Sequence, residues 1–159
     1  MVDPGAPRVG RPAGLTLAGG RDTEALQETR GSKMFSHIAI GTNDVRRAKT
    51  FYDATLGALG VEPGVVDGDR RVFYRTPTGA LIVTQPIDGK AATVANGGTI
   101  GFACASPEQA DAWHAAGVAN GGVSCEDPPG LREGNGLKLY LAYLRDPDGN
   151  KLCALHRMG

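Results

Sequence analysis

A five-residue turn motif occurs twice in this chain, as RTPTG at residues 75–79 and as RDPDG at residues 145–149. Each copy leads directly into an apolar stretch that is typical of a strand. In both copies Pro fixes φ at the first central turn position and the closing Gly is expected to take φ > 0, so each motif predicts a β-hairpin. The repetition indicates an internally duplicated fold, which constrains the architecture more than any other feature of the sequence.

The first half of the chain predicts a strand, an amphipathic helix and three further strands. Residues 35–41 form the first strand, and Thr42, Asn43 and Asp44 offer N-cap oxygens for the helix. Gly57 is expected to take the left-handed conformation that ends this helix. The apolar stripe of the helix consists of Val45, Ala48, Phe51, Tyr52 and Leu56. The later strands are predicted at residues 61–66, 71–75 and 80–85.

The second half repeats this order. Residues 99–105 form a strand, and Ser106 with Gln109 makes a capping box around Pro107 at the first helical position. The buried stripe of this helix consists of Ala110, Trp113 and Gly117. Strands are predicted at residues 123–126, 137–144 and 151–156, and a Pro- and Gly-rich loop is predicted at residues 127–136. The sequence therefore predicts an α+β domain of two βαβββ modules, at residues 34–96 and 97–158.

Residues 1–33 contain six Gly and three Pro and have no sustained hydrophobic periodicity. Such a segment buries too little apolar surface to offset the entropy of ordering it. We therefore expect a flexible N-terminal extension or a leader, whose removal leaves the melting temperature nearly unchanged.

Composition excludes several classes of function. The 17 basic and 17 acidic residues cancel and aromatic residues make up 6% of the chain, which argues against a nucleic-acid or anionic-membrane partner. No apolar run approaches the length of a membrane span. The three cysteines are scattered and cannot all pair within one chain, so a reducing, cytoplasmic compartment is expected.

Three segments, taken in order, resemble the vicinal oxygen chelate superfamily, which includes glyoxalase I, bleomycin-resistance proteins and extradiol dioxygenases. The segments read MFSHIAI at residues 34–40, AKTFY at 48–52 and DPDGNKL at 146–152. The resemblance covers residues 34–157. It implies paired βαβββ modules whose sheets curl around a shared cavity, and it implies a homodimer.

In metal-using members of that superfamily, the first and last strands of each module each supply one ligand. Mapped onto this sequence, these four positions are His37, Val83, Thr99 and Cys153. Only His37 matches the usual His or Glu, since Val83 has no donor atom and a Thr hydroxyl is a poor ligand. We therefore expect no metal cofactor. If a weak site exists, His37 and Cys153 hold the ion.

His37 is the candidate catalytic residue. Strand alternation places it on the same face as Ala39, the face expected to line the cavity. There it serves as a general base or as a donor that orients a ligand, or it is a remnant bonded to a neighbour. Cys153 is either a nucleophile or a small core residue. His156, three residues after Cys153, points to the opposite face, and His114 is expected to be an outward polar residue of the second helix.

Further ligand-binding candidates are three tyrosines, an amide and a cation. They are Tyr74, Tyr140, Tyr143, Gln85 and Arg132. The tyrosines offer ring surface and hydroxyls but can equally be ordinary sheet residues, and Arg132 suits an anionic group at the cavity mouth or is simply solvated. Trp113 is interpreted as core.

Three functions fit these patterns. The first is a pocket protein that binds a small organic molecule without a metal. The second is a lyase, isomerase or dioxygenase that uses His37. The third is a dimeric scaffold with a vestigial cavity.

Overall fold

The computed structural model describes residues 34–159, so the extension predicted at residues 1–33 lies outside the described residues. Within the described part the chain forms nine strands and two helices. The predicted α+β class and the βαβββ order of both modules are confirmed, with one additional strand in module two. None of the helices in this part is long and apolar enough to cross a bilayer.

Module one is a four-stranded sheet with one helix. The chain runs through β1 (His37–Gly41), α1 (Val45–Ala58), β2 (Val65–Asp67), β3 (Arg71–Thr76) and β4 (Gly79–Thr84). The strands lie in the order β1-β4-β3-β2. β1 pairs with β4 in parallel and the other pairs are antiparallel, so β1 forms one edge of the sheet.

Module two repeats this arrangement with an interrupted outer strand. Its elements are β5 (Ile100–Ala103), α2 (Pro107–Ala119), β6 (Val123–Ser124), β7 (Gly130–Gly134), β8 (Leu137–Arg145) and β9 (Lys151–Arg157). The order is β5-β9-β8-β6, and β7 also pairs with β8. β5 is parallel to β9, as β1 is to β4, so β5 forms the corresponding edge.

β7 corrects the prediction of a loop at residues 127–136. It pairs antiparallel with the first half of β8, and Asn135 and Gly136 form the two-residue turn between them. Both turn residues have positive φ, 50° and 75°, as a hairpin turn of this length requires. The Asn-Gly dipeptide was the sequence signal for this hairpin, and the surrounding Pro and Gly residues obscured it.

Side-chain caps start both helices where the sequence predicts. Asp44 Oδ1 accepts hydrogen bonds from the backbone N–H groups of Arg46 and Arg47, each at 3.0 Å. Ser106 Oγ accepts from the Gln109 N–H at 3.2 Å. The expected stop at Gly57 is wrong, because α1 continues to Ala58.

The two repeated turn motifs differ in geometry. Four residues separate Arg75 from its cross-strand partner Ala80, whereas five separate Arg145 from Lys151. Gly149 takes φ 94°, as predicted, but Gly79 is the first residue of β4 and is not among the residues with positive φ. The second turn is therefore one residue longer than the first.

Asp146 organises this longer turn. Its Oδ1 accepts hydrogen bonds from the N–H groups of Asp148 and Asn150 at 3.0 and 2.8 Å. Its Oδ2 accepts from the hydroxyl of Tyr52, on α1, at 2.7 Å. The carboxylate is 3% exposed, and these bonds satisfy it inside the protein.

Asp148 joins the same turn to module one. Its carboxylate accepts hydrogen bonds from the Thr42 hydroxyl at 2.6 Å, the Asn43 N–H at 2.9 Å and the Arg47 guanidinium at 3.0 Å. The last hairpin of module two is thus held at the N-terminus of α1.

The core lies between the helices and one face of each sheet. α1 packs against α2, and alternate strand residues face them, which explains the period-two burial of β4 and β8. Trp113 is fully buried, which confirms its interpretation as core. Gly117 permits the close helix contact, because an added Cβ would lie 3.2 Å from Thr55 Cγ2 and 3.3 Å from Phe51 Cε2.

Candidate functional site

Each sheet buries one face against the helices and leaves the other face open. Cross-strand partners project to the same side, so the register places Arg75, Ala80 and His37 in one row across β3, β4 and β1. The alternating residues Leu81 and Val83 belong to the buried core. The row of Arg75, Ala80 and His37 therefore lies on the open face of sheet one. It is at the N-terminal end of β4, next to the β3–β4 turn.

A pocket of about 320 Å³ opens between the edge strands β1 and β5, beside the C-terminal end of α1. Its apolar lining includes Leu56, Leu59, Val61, Ile100 and Phe102. Ser36 and His37 contribute polar side chains at its rim. The volume falls at the lower end of the range of roughly 300–1,000 Å³ that is typical of small-molecule sites.

His37 is exposed at the start of β1. Ser36 Oγ lies 3.0 Å from His37 Nδ1, which orients the imidazole. No residue in the described range 34–159 bonds the other ring nitrogen, Nε2. The ring can therefore offer one nitrogen to a molecule in the pocket while Ser36 holds the other.

Tyr74 and Tyr140 lie on the helix side of their sheets. Tyr74 lines the inner wall of the pocket, but it is 2% exposed and its hydroxyl donates to Asp53 Oδ1 at 2.9 Å. Burial raises the pKa of Tyr74, and the hydrogen bond to Asp53 raises it further. Tyr140 donates to Asp111 on α2 at 2.8 Å, and this bond raises its pKa. Tyr140 does not face the open side of the sheet, which corrects its predicted position.

Val83 corrects the mapping of the first module. Counting from the closing glycines made Val83 the counterpart of Cys153, but the turn before β9 is one residue longer than the turn before β4. By register, Ile82 in β4 occupies the place of Cys153 in β9. A slip of one residue moves a side chain to the other face of a strand. Val83 is accordingly 0% exposed and packs in the core, so it lines no cavity.

Cys153 and Thr99 lie apart from the pocket. Cys153 pairs with Gly101 in β5 and with Tyr143 in β8, on the open face of sheet two. It is 5% exposed, and burial raises the pKa of its thiol more than the hydrogen bond with Tyr143 lowers it. A thiol held in this protonated state is a weak nucleophile. Thr99 lines a separate hollow of about 260 Å³ that it shares with Ala39.

Gln85, Arg132 and Tyr143 also lie outside the pocket. Gln85 follows β4 and lines a hollow of about 310 Å³ at the other end of sheet one. Arg132 lies in β7 instead of the predicted loop, and it donates to the carbonyl of Pro128 at 2.8 Å. Tyr143 shares the open face of sheet two with Arg132, and burial raises its pKa. The structure thus brings His37 and Tyr74 together at the pocket but distributes the other candidates over other surfaces.

The two remaining histidines have structural partners. His156 lies on the opposite face of β9 from Cys153, as its spacing predicts, with Nδ1 2.9 Å from the Cys104 carbonyl oxygen. His114 Nε2 lies 2.9 Å from Ser124 Oγ, and burial lowers the pKa of this histidine. Neither histidine is among the residues that line the pocket between β1 and β5.

The residues present do not fit the metal that the superfamily resemblance implies. After correction for register, the four ligand positions hold His37, Ile82, Thr99 and Cys153. Within residues 34–159 no three His, Cys, Asp or Glu side chains are grouped so that they could hold an ion. A catalytic nickel, zinc or iron site requires several convergent donors and an open position, which one imidazole and a buried thiol do not provide.

Sequence reasoning missed Arg75 and most of the pocket wall. Arg75 appeared only as the last residue of a predicted strand and the first residue of a turn motif, and the observation that places it in one row with His37 is the pairing of both residues with Ala80. Leu59 and Phe102 were absent from the predicted lining because the pocket lies between the modules and not on the curved face of either sheet.

The comparisons with known proteins agree with this architecture. The family model described as Glyoxalase/Bleomycin resistance protein/Dioxygenase superfamily matches residues 34–154. The chain belongs to this superfamily. A superfamily member of known structure, a glyoxalase/bleomycin resistance protein from Albidiferax ferrireducens T118, is 62% identical, with a TM-score of 0.76. That alignment covers 78% of this chain and 99% of the other.

More distant structures share the superfamily fold. A glyoxalase-related enzyme from Fulvimarina pelagi is 16% identical with a TM-score of 0.60, covering 79% of this chain and 88% of that one. A structure named as a lactoylglutathione lyase from Agrobacterium tumefaciens is 18% identical with a TM-score of 0.55. That alignment covers 80% of this chain and 96% of the other. No curated protein matches this chain.

Proposed function

We propose that this protein binds a small organic molecule in the pocket between β1 and β5, without a metal cofactor. The observation that carries the proposal is the pocket itself, a space of about 320 Å³ with apolar walls and with Ser36 and His37 at its rim. Apolar walls with a few placed polar groups are typical of small-molecule sites. The donor set at the four superfamily positions supports the metal-free part of the proposal.

The metal-free part is tested by elemental analysis. We expect purified protein, grown with nickel, zinc and iron and then dialysed, to retain well under one equivalent of any transition metal per chain. One tightly retained equivalent, lost when His37 is replaced by Ala, contradicts this part. That result leaves the pocket proposal standing, because binding of an organic molecule does not depend on it.

The pocket itself is tested by filling it. Gly101 is among the residues that line the pocket, and an added Cβ at this position meets no atom within 4 Å, so Gly101→Leu adds bulk at the β5 edge of the pocket while the new Cβ itself causes no clash. Gly134 is a matched control, since its added Cβ is equally free and it lies in β7. We expect ligands found by a thermal-shift screen of the parent protein to lose at least about tenfold in affinity in Gly101→Leu and to bind Gly134→Leu normally.

An enzyme of the lyase, isomerase or dioxygenase type is the second candidate. The observation that favours it is the position of His37 at the pocket rim with Nδ1 held by Ser36. If the protein is an enzyme, His37→Ala lowers kcat by about 10²–10⁴-fold, the usual contribution of a positioned acid or base. If the protein only binds, His37→Ala changes ligand affinity modestly and there is no turnover to lose.

A dimeric scaffold with a vestigial cavity has less support. A vestigial cavity is filled by its own side chains, whereas the described residues leave the pocket open. The homodimer implied by the superfamily remains a proposal, and light scattering coupled to size-exclusion chromatography tests it with a mass near 33 kDa, twice the 16.5 kDa of one chain.

A further inference from the structure

Arg75 is a cation in an unusual setting on the open face of sheet one. Its guanidinium carbon lies 4.5 Å from the centre of the Phe73 ring, which restricts the side chain by a cation–π contact. Arg71 approaches the same ring at 5.5 Å but also pairs with Asp67 at 2.7 Å. Among the described residues no carboxylate lies within salt-bridge distance of Arg75. Its donors are therefore oriented by the ring and free of a competing anion.

Arg75 borders a hollow that adjoins the pocket between β1 and β5. It lines a hollow of about 450 Å³ on the far side of the β3–β4 turn. This hollow and the pocket share Phe35, Ser36 and part of the turn as a common wall. A molecule that lies across this wall can place one end at Arg75 and the other among the apolar side chains of the pocket.

The register leaves room for a small head group beside this cation. Arg75 and His37 are both cross-strand partners of Ala80, one from each side. Neighbouring strands lie about 4.8 Å apart, so the two backbones are separated by roughly 10 Å. The methyl group of Ala80 is the only side chain of the row between them, so no bulky side chain separates Arg75 from His37 on this face.

The ionisable side chains that line the pocket and the hollow include basic groups and no acidic ones. Neither the pocket nor the hollow has an Asp or a Glu among its lining residues, while His37 lines the pocket and Arg75 lines the hollow. An anionic group of a ligand near Arg75 is therefore attracted by the guanidinium and is not repelled by a nearby carboxylate. Guanidinium groups bind carboxylates through two parallel, charge-assisted hydrogen bonds, which are stronger than bonds between neutral groups.

We propose that the ligand of this site is a small organic carboxylate, whose carboxylate is held by Arg75 and whose apolar body enters the pocket between β1 and β5. The inference rests on the proposed function and adds to it the chemical class of the ligand. Arg75 is the residue that selects acids over neutral molecules of the same shape.

A matched pair of probes tests this class. Octanoate and octanamide have the same chain length and nearly the same shape, but only octanoate carries a charge at neutral pH. We expect isothermal titration calorimetry at pH 7.5 to give a Kd for octanoate at least about tenfold lower than that for octanamide, because only the carboxylate forms the charge-assisted bonds.

Two variants test whether Arg75 causes the preference for octanoate over octanamide. Arg75→Gln should weaken octanoate binding by about tenfold and leave octanamide binding within a factor of two. Arg71→Gln is the matched control, since Arg71 contacts the same ring but already pairs with Asp67. It should change both affinities less than twofold. Raising the salt concentration from 50 to 500 mM should weaken octanoate more than octanamide.

The outcomes separate this inference from the pocket proposal. Equal binding of octanoate and octanamide, or octanoate binding that survives Arg75→Gln, overturns the carboxylate inference and leaves a pocket that binds neutral molecules. Loss of both probes in Gly101→Leu shows that they occupy the pocket. Failure of both probes to bind the parent protein at millimolar concentration overturns the inference, and the thermal-shift screen then decides the pocket proposal independently.

Discussion

Asp53 connects helix α1 to the sheet of module one through a single carboxylate. Its Oδ1 accepts hydrogen bonds from the Gly64 N–H and the Tyr74 hydroxyl, each at 2.9 Å, and Lys49 pairs with Oδ2 one helical turn earlier. Partial burial raises the pKa of Asp53, but the bonds from Lys49, Gly64 and Tyr74 outweigh this effect and bring the pKa below its ordinary value of 3.8. The charged form is therefore the form that the fold stabilises.

We expect Asp53→Asn to lower the free energy of unfolding by about 1–2 kcal/mol at pH 7, because an amide accepts these bonds less strongly. A pKa that is lower in the folded state contributes stability that is complete above the unfolded value and is lost as the pH falls through the folded value. The difference between parent and variant should therefore shrink below about pH 4. Urea denaturation at pH 7, 5 and 3 measures it.

Asp67→Asn is the control for this experiment. Asp67 also pairs with a cation four residues away, Arg71, but both side chains are about half exposed. Exposed pairs contribute little, so this variant should lose less than about 0.5 kcal/mol at pH 7. A loss in Asp53→Asn that is the same at pH 7 and pH 3 contradicts the assigned role of the charge.

At the scale of elements, the contact between α1 and α2 depends on the absence of a side chain at Gly117. We expect Gly117→Ala to destabilise the fold by about 1–3 kcal/mol, because its Cβ enters space occupied by Leu144 and touches Thr55 and Phe51. Gly57→Ala, in α1, should instead stabilise the fold by about 0.5–1 kcal/mol, since its Cβ meets nothing within 4 Å and Ala is the better helix former.

Thermal unfolding of the two variants measures this contrast. The two substitutions are chemically identical and both lie inside helices, so helix propensity alone predicts the same stabilising sign for both. Stabilisation by Gly117→Ala would show that the helices can separate without cost, which is inconsistent with the packing described here.

The elements also show why the sequence predicts the fold better than the site. Helix caps, apolar stripes and turn residues are local signals, and Asp44, Ser106 and the stripe around Phe51 behave as those signals require. The face on which a strand residue lies depends on the length of a distant turn. The turn between Arg145 and Lys151 is one residue longer than the turn between Arg75 and Ala80. Counting from the closing glycines therefore assigned the ligand position of β4 to Val83, whereas the register assigns it to Ile82.

The pocket could not be predicted from either module alone. Its walls come from β1, β3, β4 and the end of α1 in module one and from β5 in module two, so both modules are needed to form it. His37 was found because a superfamily resemblance pointed to it. Arg75 required the pairing register, which has no local signature in the sequence.

At the scale of the whole molecule, the two modules are joined by the carboxylate of Asp148. We expect Asp148→Ala to lower the free energy of unfolding by about 2–3 kcal/mol, because Thr42, Asn43 and Arg47 lose a shared acceptor whose side chain is 3% exposed. Chemical denaturation followed by tryptophan fluorescence measures the loss, since Trp113 is buried in module two.

Asp88→Ala provides the control for this variant. Asp88 follows β4 within module one and is about half exposed, with Oδ2 3.9 Å from Lys90 Nζ. It should change stability by less than about 0.5 kcal/mol. A loss in Asp148→Ala no larger than in Asp88→Ala would mean that the hairpin is held in place without this carboxylate.

Three residues of the DPDGN pentapeptide at residues 146–150 hold this junction through their side chains. Asp146 is bonded to Tyr52 and to its own turn, Asp148 is bonded to the start of α1, and Asn150 donates to the carbonyl of Gly41. A related protein without any catalytic group would still need this pentapeptide to hold its two modules together. In this chain the pentapeptide consequently reports how the modules are joined, and its presence says nothing about which reaction, if any, the pocket carries out.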